Sequence, residues 1–160
     1  MSNDEFPLAY FITWTTYGSW LPGDDRGWVK RGERTVHPPD PLRRETAMDL
    51  MADDAVVLAA PQRAVVDTTI VRHCSIRHWI LHARNARTNH VHVVASAATP
   101  GEAMRSQFKA WCSRALSEQE GQIGRSKHGQ RRWWTEGGDI EWINSEESLH
   151  NVIRYVNELQ

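Results

Sequence analysis

Several things are scarce in this chain, and each scarcity removes a class of protein. Only Cys74 and Cys112 are available for cross-linking, so a disulfide-stapled fold is excluded. No segment approaches the roughly 18 uninterrupted apolar residues that a membrane-spanning helix needs. Repeats and low-complexity tracts are absent, which excludes solenoids and arrays. The opening MSNDEFPLAY has neither a basic n-region nor an apolar h-region, so no secretory signal is expected. Two reduced, buried thiols and a cytoplasmic, nucleoid-associated location are the corresponding expectations. A surplus of one charge is lacking too: the net charge is -1 and the pI about 6.7, so bulk electrostatics do not mark a nucleic-acid binder.

What is present is an ordinary globular composition, with 40% hydrophobic and 24% charged residues over 160 positions. That length suits a single domain spanning 1–160. The charge is uneven. Residues 125–132 read RSKHGQRR, and a second concentration comprises Arg72, His73, Arg77, His78, His82, Arg84 and Arg87, while acids gather at 45–54 and 136–147. A local positive patch can bind phosphates despite a neutral total, although solvated faces account for it equally well. Eight tryptophans are many for this length. Most are expected in the core, and a minority could stack on unpaired bases.

Aromatic and β-branched residues predict a strand over 8–17. Residues 18–45 are rich in Pro, Gly and charge and read as a long loop, followed by a short helical piece within 46–60; together they form a loop insertion at about 18–60. Pro61 suits a first helical turn, and Val66, Ile70 and Cys74 then mark one helical face. RHWILHARN (77–85) and RTNHVHVVASA (87–97) predict two strands of one hairpin. A helix is predicted over 101–118, with Met104, Phe108, Trp111 and Ala115 inward and Arg105 and Lys109 outward. A basic loop fills 119–131. RWWTEGGDIEWI (132–143) predicts a hairpin on Gly137-Gly138, pairing Trp133 with Trp142 and Thr135 with Ile140. A final helix starts near Asn144 or Ser145, with Asn144 and Glu147 resembling a capping box and Leu149, Val152, Ile153 and Val156 as its stripe. This order predicts an α+β fold: a ferredoxin-like sandwich with an antiparallel sheet and helices packed on one face.

The sharpest chemical feature is Asn89-His90-Val91-His92. On a strand, residues two apart share a face, so His90 and His92 project side by side and could ligate one divalent cation. The plainer alternative is two histidines hydrogen-bonded on a half-exposed strand. Tyr155 lies at the edge of the last helix's apolar stripe, which supports the ring and leaves the hydroxyl accessible; a boundary tyrosine reaching solvent has the same pattern. A phenol needs a nearby metal or base to become an effective nucleophile. Glu158 and Gln160 follow on the same helix and offer oxygen ligands of the kind Mg²⁺ and Mn²⁺ prefer.

RTNHVHVV, followed by RWWTEGGDIEWI and SLHNVIRYVNELQ, resembles the IS200-type single-tyrosine transposases, and most of all the REP-associated tyrosine transposases. YFITWTTYGSWLPGDDRGW and RHWILHARN fit the same pattern, so the resemblance covers nearly the whole chain. It implies a His-hydrophobic-His metal pair at His90 and His92. It also implies a nucleophile at Tyr155 that bonds covalently to a DNA 5′ phosphate, and a third ligand at Gln160. The family pattern places that glutamine four residues after the tyrosine, whereas here it comes five after, a rotation of about 140° on an ideal helix, which leaves Glu158 as an alternative ligand. The implied activity is a metal-dependent, Mg²⁺- or Mn²⁺-using endonuclease and strand transferase. Its partner would be single-stranded DNA with hairpin elements, and no membrane. A homodimer is left open, since the family includes dimers and monomers. Arg84, Arg87, Arg125, Lys127, Arg131 and Arg132 are the candidate phosphate contacts, with Trp20 and Trp28 of the insertion able to stack on bases. Two alternatives stand beside this reading: a hairpin-binding protein that does not cut, and a two-histidine phosphoesterase that uses water and has no need of Tyr155.

Overall fold

The computed structural model describes residues 5–30, 32–51, 54–121 and 131–158. Four strands, β1 (Ala9–Thr15), β4 (Ile80–Ala86), β5 (His90–Ser96) and β6 (Asp139–Ile143), form one sheet in the order β4-β5-β1-β6, with every neighbouring pair antiparallel. Two long helices, α2 (Ala60–Arg77) and α3 (Gly101–Glu120), connect β1 to β4 and β5 to β6. The resulting β-α-β-β-α-β order is the ferredoxin-like arrangement expected from the sequence.

Alternation along the strands divides the sheet into two unlike faces. Tyr10, Ile12 and Trp14 of β1 and Val91, Val93 and Ala95 of β5 point to one side. There they meet Val66, Ile70 and Cys74 of α2 and Met104, Phe108, Cys112 and Leu116 of α3. Burial raises the Cys74 thiol to about 11 and raises that of Cys112 as well, so both stay protonated at neutral pH. The last helix, α4 (Glu146–Glu158), packs on the opposite side. Its Leu149 and Val156 join Ala9, Ala83, Val94 and Ile143, with Phe11, Val152 and Ile153 alongside. Helices α2 and α3 therefore form the expected one-sided layer, and α4 adds a thinner layer on the other face.

Local boundaries differ from the sequence reading for identifiable reasons. Helix α2 continues to Arg77 and closes with His78 in the left-handed region (φ 59°), its N–H and that of Trp79 donating to the Ser75 and Cys74 carbonyls. The strand expected from residue 77 therefore begins only at Ile80. The inward line of α3 is Met104, Phe108, Cys112 and Leu116, four residues apart, so Trp111 turns outward and is 43% exposed, and Ala115 is only partly buried. Helix α4 is capped by Ser145, whose Oγ accepts from the Ser148 N–H at 3.1 Å, rather than by Asn144.

The hairpin expected over 132–143 does not form. Residues 133–143 instead run antiparallel to β1 along its whole length: Tyr17 N–H donates to Trp133 O, Thr16 bridges Trp134, and Thr13 pairs with Asp139. Three steps on β1 thus face five on its partner, a bulge with two extra residues around Gly137-Gly138. Both glycines have positive φ (81° and 133°), and a Cβ on Gly138 would lie 2.5 Å from Thr13 O. The bulge carbonyls are held from α3. Lys109 Nζ donates to Thr135 O and Gly137 O, and Arg105 donates to Gly138 O. Those two side chains, expected to face solvent, tie the edge strand to the helical layer.

The segment expected as a loop over 18–45 contains a small hairpin, β2 (Trp28–Val29) with β3 (Val36–His37), and helix α1 (Pro41–Asp49), which starts before the helical piece expected within 46–60. Trp28 is buried between the His37 ring and the Arg43 guanidinium, so it is not available to stack on a base. Trp20 is 44% exposed, with Arg26 over its ring.

Candidate functional site

The α4 face of the sheet carries the chemistry-bearing residues. Strand β5 presents His90 and His92 on this face, with ring centroids 4.7 Å apart. Each imidazole is oriented through its Nδ1. His90 Nδ1 lies 2.7 Å from Asn89 Oδ1, and an amide oxygen can only accept, so Nδ1 donates to it. His92 Nδ1 lies 2.8 Å from the Thr13 hydroxyl, which can accept in the same way. Burial holds His92 well below its usual range, at about 4, helped by the positive neighbourhood of His90 and Arg87, so its ring is neutral at physiological pH. The two imidazoles, each held through Nδ1, form a donor pair that could hold a divalent cation. Among the described residues, no third His, Cys, Asp or Glu joins them.

Tyr155 comes to the same place from α4. Its ring centroid is 6.0 Å from that of His92, and Phe11 contacts both, at 6.3 Å from Tyr155 and 5.2 Å from His92. The tyrosine remains 43% exposed. A side-chain tie sets its helix in place: Asn85 of β4, the cross-strand neighbour of His92, donates its Nδ2–H to Val156 O at 2.9 Å. Thr13, Phe11 and Asn85 have no sequence signal of their own, because they reach the site only through the register of β1, β5 and β4.

The other candidate residues are placed differently. Glu158 pairs with Arg154 (3.2 Å) on the exposed side of α4. Gln160, Arg125 and Lys127 lie outside the described residues. Arg84 pairs with Asp67 at 2.8 Å, and Arg131 pairs with Glu120 at 2.6 Å while lying over Trp133. Arg87 sits in the turn between β4 and β5, where its N–H donates to His90 O. Arg132 borders a cleft beside Trp20 and Trp134.

No protein family and no curated protein matches the chain by sequence. Several solved structures match in three dimensions. One is a REP-associated tyrosine transposase bound to a REP hairpin: 11% identity, TM-score 0.51, covering 92% of this chain and 63% of that one. The chain shares the fold of that structure. A candidate transposase from Deinococcus radiodurans is also similar, at 13% identity and TM-score 0.48, over 94% of this chain and 89% of that one. On this fold, the His90–His92 pair and Tyr155 share a single sheet face. No helix among the described residues is long and apolar enough to cross a membrane.

Proposed function

We propose that the chain is a transposase-like enzyme that cuts and rejoins single-stranded DNA beside hairpin elements, with Tyr155 as nucleophile and a divalent cation held by His90 and His92. One observation supports it above the others: Tyr155, from the last helix, stands one ring contact from His92. The transposase fold and the hairpin bound to its structural neighbour point to the same class of substrate.

The chain's own groups perform the following. Asn89 and Thr13 hold the imidazoles with Nε2 outward. Mg²⁺ or Mn²⁺ bound there supplies positive charge beside the scissile phosphate. Gln160 or Glu158 is the proposed third ligand, and for Glu158 this requires release from Arg154. Phe11 supports the Tyr155 ring, and the tyrosine's 43% exposure leaves the side chain open to substrate. The Tyr155 oxygen bonds to phosphorus, the bond from phosphorus to the 3′ oxygen breaks, the phenol proton is lost, and the departing oxygen takes up a proton as a 3′-OH. A 5′-phosphotyrosine remains. Because it retains the ester bond, a 3′-OH can reverse the step and reseal the strand without a nucleotide cofactor.

The test is incubation of the protein with single-stranded hairpin DNA and Mn²⁺, followed by denaturing electrophoresis. A DNA adduct that survives denaturation and maps to Tyr155 is expected, with none from Tyr155→Phe. Cleavage that persists in Tyr155→Phe would identify a water-using phosphoesterase and overturn the proposal. Hairpin binding without any adduct would leave a binding protein.

A further inference from the structure

On the back of the molecule, α2 and α3 enclose an open groove of about 520 Å³. Arg72, Ile76 and Arg77 line it from α2, and Trp111, Arg114 and Glu118 from α3. The helical layer and the sheet both separate it from the imidazole pair. Three properties distinguish it from a merely solvated helix surface. First, its three guanidinium groups form no ion pair or hydrogen bond with a described residue, whereas Arg26, Arg43, Arg44, Arg84, Arg131 and Arg154 each pair with a carboxylate. Second, two large apolar side chains are exposed between those charges, Trp111 at 43% and Ile76 at 65%. Third, Trp111 is held in position. Arg114 lies 5.0 Å over its ring, and His73 packs against it at 6.0 Å from below, itself fixed by a 2.8 Å hydrogen bond to Gln107.

The geometry points to this groove as a second docking surface for single-stranded DNA, separate from the cleavage centre. The groove carries three positive charges against the single carboxylate of Glu118. Arginine rather than lysine provides all three, and its planar fork suits phosphate oxygens. Unlike Trp28, Trp111 is half exposed and its guanidinium neighbour has no carboxylate partner among the described residues, so moving Arg114 onto a phosphate would open one indole face for an unpaired base. An acidic peptide would satisfy the charges but would offer no planar group to the indole face that Arg114 vacates, so nucleic acid is the better fit. A strand anchored here and cut at Tyr155 must pass around the edge of the sheet, so the groove would hold DNA flanking the cut rather than the scissile phosphate. This assignment rests on the proposed reading that the chain acts on single-stranded DNA.

The test is fluorescence anisotropy of a labelled oligothymidylate of about 15 nucleotides without added divalent metal, from about 50 to about 200 mM salt. Arg72→Ala/Arg114→Ala should weaken binding about tenfold and lower the magnitude of the salt slope by about 0.7 for each phosphate no longer neutralised. Trp111→Leu should weaken binding with an unchanged salt slope, as expected for a stacking interaction. All substituted side chains lie at the surface, and circular dichroism should show an unaltered fold. Unchanged affinity and slope in the double variant would overturn the proposal, as would equal competition by an oligoglutamate of matched charge. The Tyr155 adduct assay separates the two readings. An adduct that forms normally while the groove variants bind like wild type removes the groove alone. Groove-dependent binding with no adduct leaves the groove and removes the cutting mechanism.

Discussion

The two faces of the sheet are built from the same strands but obey different rules. On one, Tyr10, Ile12, Trp14, Val91 and Val93 meet two long helices, and every inward side chain from α3 is fully buried. On the other, a single 13-residue helix covers Ala9, Phe11 and Val94, and while His92 is buried, His90 and Tyr155 keep access to solvent. The first face supplies stability; the second keeps polar groups near water and holds its helix by a narrower apolar stripe. Chemistry located on the thinly covered face can change geometry at little cost to the fold.

Substitutions can break or sharpen that contrast. The largest effect is expected from His92→Ala, which should lower adduct formation by about three orders of magnitude, the scale of several kcal/mol of lost charge stabilisation. Its thermal midpoint should fall modestly, since His92 is buried and bonded to Thr13, so the readout is adduct yield against Mn²⁺ concentration at a temperature where the variant is folded. An adduct yield equal to wild type would show that His92 serves packing alone. On the packed face, Phe108→Ala should cost about 3–5 kcal/mol by denaturant unfolding, while Ile153→Ala on the α4 face should cost about 1–2 kcal/mol. Equal losses would erase the distinction between the faces. Asn85→Ala removes the bond to Val156 O and should cost about 1 kcal/mol. Its effect should concentrate in faster amide exchange at the end of α4, with exchange in α3 unaltered.

A substitution remote from both faces provides the control. Asp24 is held at about 2, well under its ordinary 3.8, chiefly by its hydrogen bonds from Arg26. A carboxylate with a lowered folded-state value adds stability above its unfolded value and loses it as pH falls toward the folded one. Asp24→Asn should therefore be less stable by about 1 kcal/mol at neutral pH, a figure reduced because Arg26 is half in solvent. The difference should narrow below about pH 4 and vanish near about pH 2. Paired denaturant titrations of the two proteins at several pH values would show it, and adduct formation should be unaffected.

Much of this was legible in the sequence, and the reasons are specific. Alternation along Asn89–Val94 placed the two imidazoles on one face, because strand periodicity is local and needs no partner. The apolar stripe of α4 located Tyr155 at its margin for the same reason. What escaped depends on pairing between distant segments. Gly137-Gly138 satisfies every local rule for a hairpin turn, yet β1 offered residues 133–143 a whole strand to pair with, and the glycines became a bulge. Trp111 fits a helical stripe until the four-residue line through Phe108 and Cys112 takes the inward position. Thr13, Phe11 and Asn85 could not be picked out, since only the mutual register of three strands brings them to His92 and Tyr155.

The bulge has a consequence for how molecules of this chain meet. Strand β6 is the outer rim of the sheet, where an unpaired backbone ladder can serve as a template for a neighbouring copy. Two surplus residues, fastened from behind by Arg105 and Lys109, put the ladder on either side out of phase. A second rim laid against it would match over the five residues of β6 and then fall out of step, so the irregularity that shapes the strand also limits stacking of one molecule on the next.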